Sequence, residues 1–96
     1  MLYRVNIVIT NSDPVKDSDF IVQMASLYGF QDYAGEYTSE GYNYMFTGES
    51  KDSRGFVREL RSAGFNIFTV HTLEQRGGVW KPPKDSVKYD KYNKYS

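Results

Sequence analysis

The amino-acid sequence predicts an α+β sandwich: a four-stranded antiparallel sheet with two helices on one face. Three observations lead there. Several segments alternate apolar and polar residues, two others repeat apolar residues at helical spacing and close on a Gly-Phe pair, and each helical segment lies between two alternating ones. The chain has 96 residues, 40% of them apolar and none of them cysteine, which describes one small domain with a two-layer core.

In the segment LYRVNIVI (2–9), Tyr3, Val5, Ile7 and Ile9 share one face, so the first strand is expected to bury that set. The polar run NSDPVKDSD follows, in which Asp17 or Ser18 is positioned to cap a helix over 18–28. Its apolar positions are Phe20, Ile21, Met24, Leu27 and Tyr28, and Gly29-Phe30 reads as its stop. Two tyrosine-rich runs, 32–38 and 41–47, fit a hairpin. Ser53 opens a second helix with the stripe Phe56, Val57, Leu60 and Ala63, closed by Gly64-Phe65. The run NIFTVHTL (66–73) supplies the last strand, Gly77 and Gly78 form a turn, and the remainder is polar and lysine-rich. The order β, α, β, β, α, β is the ferredoxin-like plan, a sandwich domain over 1–76 with an extended C-terminal tail over 77–96.

Twelve basic residues balance twelve acidic ones, but unevenly along the chain. Residues 11–50 hold seven acids (Asp13, Asp17, Asp19, Asp32, Glu36, Glu40, Glu49) against Lys16 alone, whereas residues 51–96 hold ten bases against five acids. Such asymmetry bears on partners and association rates. The longest apolar run, Ile7 to Ile9, is far below the roughly 20 residues of a membrane helix. No signal-peptide pattern opens the chain, and the missing cysteines suit a reducing compartment, so a cytoplasmic location is expected.

Little here suggests catalysis. His71, the single histidine, has no nucleophile or orienting partner in the pattern. Asp13, Asp17 and Asp19 lack the alternation and terminal glutamate of a calcium loop, and Gly77-Gly78 lacks the lysine and serine of a phosphate loop. No enzyme activity, cofactor or metal is expected. Two features suggest binding instead. Arg54, Arg58 and Arg61, spaced i, i+4, i+7, line one side of the second helix and suit carboxylates or phosphates. In the tail, KYDKYNKYS sets Lys88, Lys91 and Lys94 in one series and Tyr89, Tyr92 and Tyr95 in another, a period of three that matches polyproline II.

LYRVNI on the first strand and EGYNYMF on the third are similar to the two short motifs of the RNA recognition motif family, through Leu2, Tyr3, Asn6, Gly41, Tyr42, Tyr44 and Met45. That resemblance implies bases stacked on outward-facing tyrosines. Two departures weigh against it: Glu40 occupies the place of a basic residue, and outward tyrosines would force Arg4, Asn6, Asn43 and Thr47 under the helices. The expected function is therefore a non-enzymatic binding or inhibitory module. It docks through the second helix and tail on a protein with an acidic patch, a second copy of the chain among the candidates. Single-stranded nucleic acid is the alternative partner. The compact, tyrosine-rich style also resembles accessory proteins of bacterial viruses that disable a host factor.

Overall fold

β1 (Tyr3–Ile9) alternates as its sequence requires, with Val5, Ile7 and Ile9 essentially inaccessible and Arg4, Asn6 and Val8 half-buried on the opposite face. The computed structural model containing it describes residues 1–82. α1 (Pro14–Leu27) starts four residues before the predicted position. Pro14 occupies the first turn, where its missing N–H costs nothing, and Asp13 is the true cap, accepting from the Val15 amide at 3.1 Å. Asp17 then reaches back to accept from the Asp13 amide at 2.8 Å. Only Ile21 and Ala25 are fully buried on α1, with Val22 and Met24 packed beside them; Phe20, Leu27 and Tyr28, expected inside, are exposed.

β2 (Phe30–Thr38) and β3 (Gly41–Gly48) form the tyrosine-rich hairpin. α2 (Arg54–Ser62) buries Phe56, Val57 and Leu60, whereas Ala63, expected in the same stripe, follows the last turn and is exposed. Ser53 stands at its cap position without a side-chain hydrogen bond, and Asp52 takes the capping role by accepting from the Arg54 amide at 3.1 Å. β4 (Ile67–Arg76) follows, and β5 (Val79–Lys81) after it.

The four-stranded ferredoxin-like plan is overturned by this last strand. Among the described residues the sheet is antiparallel throughout and has five strands in the order β2-β3-β1-β4-β5. The cause is local. Gly77 (φ 58°) and Gly78 (φ 77°) are both left-handed, the geometry of a two-residue hairpin turn, so β4 continues to Arg76 and the chain returns to pair Val79–Lys81 with it. From the sequence, 79–81 fall in the tail, since three residues before a proline carry no readable period.

One core forms on the helix side of the sheet, where Val5, Ile7, Ile9, Phe30, Tyr44, Phe46 and Val70 meet the buried residues of both helices. Each such side chain contributes roughly 1.5–3 kcal/mol through burial. Asn11 ties the far end together: its amide donates to the Gly64 carbonyl (3.0 Å) and its carbonyl accepts from the Asn66 amide (2.8 Å). Neither helix packs on the other face, which carries Asn6, Asn43, Met45, Thr47, Thr69, His71 and Leu73, with Arg4 4.7 Å above the ring of Trp80.

Candidate protein-docking surface

A bulge decides what β2 shows to solvent. Gln31 pairs with Thr47 and Ala34 with Met45, so Asp32 and Tyr33 together oppose Phe46. Asp32 adopts φ 57°, a left-handed conformation open to aspartate, and this absorbs the extra residue. The bulge reverses the parity of the strand. Phe30 before it and Tyr33, Gly35 and Tyr37 after it all face the helix side, while Ala34 and Glu36 take the opposite face.

The tyrosines that result are joined ring to ring. Tyr37 meets Tyr42 edge-on at 4.8 Å, and Tyr42 meets Tyr44 at 4.8 Å. Tyr33 lies over Tyr44 at 6.0 Å and Phe46 at 5.5 Å, and Phe46 contacts Phe56 of α2 at 5.6 Å. Gly35 provides the space: a Cβ there would run into the Tyr42 ring. The inner end of this ladder is anchored, with Tyr44 fully buried and its hydroxyl donating to Ser12 Oγ at 3.1 Å. Desolvation raises the Tyr44 pKa, and desolvation with the hydrogen bond to Tyr42 raises that of Tyr33, so both hydroxyls stay protonated. The outer end is free to solvent, Tyr37 being 76% exposed.

Among the described residues β2 has a strand on one side only, and every residue from Gln31 to Glu40 is exposed. Its outer edge therefore offers backbone groups that no other described residue pairs, beside tyrosines packed ring to ring. At the start of β2, Tyr28, Leu2, Asp32, Thr47 and Glu49 line an open hollow of about 590 Å³. Among the described residues, no group of three His, Cys, Asp or Glu is placed to hold a metal ion.

The sequence-derived site residues fare differently. Arg54, Arg58 and Arg61 all lie on exposed α2 positions. Arg54 is already engaged, however: its Nε and Nη2 donate to the two carboxylate oxygens of Asp52, each at 2.9 Å. Those bonds hold the Asp52 pKa down at about 2. Lys88, Tyr89, Lys91, Tyr92, Lys94 and Tyr95 lie outside the described residues. Tyr42 and Tyr44 face the helices, so the family positions that would stack RNA bases are turned inward. The sequence reading did not select Tyr33 and Tyr37. The available signal was the stretch from Phe30 to Ser50, dense in tyrosine and holding four carboxylates with no lysine or arginine. Compared with protein-family models, curated proteins and solved structures, the chain matches none.

Proposed function

We propose that this chain is a non-enzymatic docking module that binds another protein along the outer edge of β2. The observation that carries the reading is the combination at that edge: a nine-residue strand with one side open among the described residues, and tyrosines held by a ring ladder that runs into the core. Tyrosines fixed before binding lose little conformational freedom on contact, and such residues dominate the energetics of many interfaces. An edge strand adds main-chain hydrogen bonds to that contact. The α2 arginines support docking less directly, because Arg54 has its carboxylate within the chain.

Capture from cell lysate by the full-length protein, with and without nuclease, tests the reading. Wild type is compared with Tyr37→Ala and with the double variant Arg58→Glu/Arg61→Glu. Capture is expected to survive nuclease, to be lost with Tyr37→Ala and to persist with the arginines reversed. Capture that is indifferent to Tyr37→Ala, or that nuclease abolishes, overturns it, the latter in favour of nucleic acid.

A further inference from the structure

Resting on that reading, we infer that the β2 edge takes a specific class of partner segment: an extended, lysine- or arginine-bearing peptide that joins the sheet as a further strand. From Phe30 to Ser50 the chain holds Asp32, Glu36, Glu40 and Glu49 and no base, so the edge and its turn present one sign of charge. Past the bulge, Ala34–Thr38 keep regular pairing with β3 and offer a stretch free of proline and lysine. Proline and lysine are two of the usual guards of a sheet edge, and the bulge, another, is confined to Asp32 and Tyr33.

The two faces of β2 then specify the incoming strand residue by residue. On the open face, a side chain aligned with Glu36 meets a carboxylate and no base of β2, which selects lysine or arginine. On the helix face, its neighbours align with Gly35 and Tyr37, and the next residue on that face reaches Tyr33, so the rings select an apolar side chain or an arginine lying on a ring. The recognition pattern has period two, basic residues alternating with apolar or aromatic ones. The same charges exclude the commonest accidental partner, since a second β2 edge would bring its own Glu36 and Asp32 against these.

Panning the full-length protein with a library of random linear peptides about a dozen residues long, the reach of a long strand, tests the inference. Synthetic copies of the enriched peptides are then titrated while backbone amide shifts are followed. Enriched sequences are expected to carry a basic excess in alternate positions, to shift the amides of Ala34–Thr38 and to bind less tightly as salt is raised. Glu36→Lys/Glu40→Lys, at two exposed positions, is expected to weaken binding about tenfold. Peptides that map to β2 without a basic excess or salt dependence overturn the charge inference and leave the docking reading standing. Peptides that map to α2 or the open face, or a library that yields none, overturn both. The wild-type shifts and salt dependence decide the matter should the double variant fail to fold.

Discussion

At one edge of the sheet, β5 offers three residues and then Pro82, whose carbonyl accepts from Arg76 Nη2 at 3.0 Å. At the other, β2 runs for nine residues without proline or lysine and carries carboxylates and tyrosines. The first edge is closed by being short and by a residue that cannot donate to a ladder. The second, on the proposed reading, admits strands of one charge and repels those of the other. An edge can thus be kept from aggregating without being blocked, provided its charge repels copies of itself.

The largest effect on this contrast comes from the ladder that anchors β2. Phe46→Ala removes a side chain 1% exposed that touches both Tyr33 and Phe56, and is expected to lower stability by about 3–5 kcal/mol in urea titration. Gly35→Ala drives a methyl into the Tyr42 ring. A loss of about 1–3 kcal/mol is expected, with amide exchange rising in β2 before β4; uniform exchange would show that the tyrosines do not hold that edge.

Gly78→Ala acts at the opposite edge, where the left-handed turn disfavours a side chain. It is expected to cost about 1 kcal/mol and to release β5 amides while β2 and peptide binding stay unchanged. Tyr37→Ala separates binding from folding: its 76% exposure predicts a change in stability within about 0.5 kcal/mol, against a clear loss of partner capture.

The smallest effect belongs to Asp52. Its pKa, about 2 beside Arg54, lies below the ordinary value of 3.8, so ionisation favours the folded state. That contribution is fully present above about pH 4 and is lost as pH falls through 2. Because the pair is exposed, Asp52→Asn is expected to cost less than about 1 kcal/mol at neutral pH and to flatten the acid limb of the stability profile slightly.

Several of these features were legible in the residues. The buried face of β1, the stripe Phe56, Val57 and Leu60, and the helix stops at Gly29 and Gly64 follow from local period and from glycine's tolerance of positive φ. The start of α1 was misread because Asp13, Asp17 and Ser18 are all competent caps, and only the Asp13–Val15 and Asp17–Asp13 bonds distinguish them. The candidate site was less legible. In FQDYAGEYT, strict alternation puts Phe30 with Asp32, Ala34 and Glu36, whereas the bulge puts it with Tyr33 and Tyr37.

By itself the sequence determined the order of the first four strands and two helices, which face of β1 is buried, and that residues 30–50 are acidic and aromatic. Those properties depend on neighbours a few positions away along the chain. The tertiary structure alone decided that β2 and β5 are the edges of the described sheet and that a left-handed Asp32 turns Tyr33 and Tyr37 to one face. Each of these depends on what packs or folds against the segment: strand order joins residues distant in sequence, and one inserted residue reverses every side chain after it.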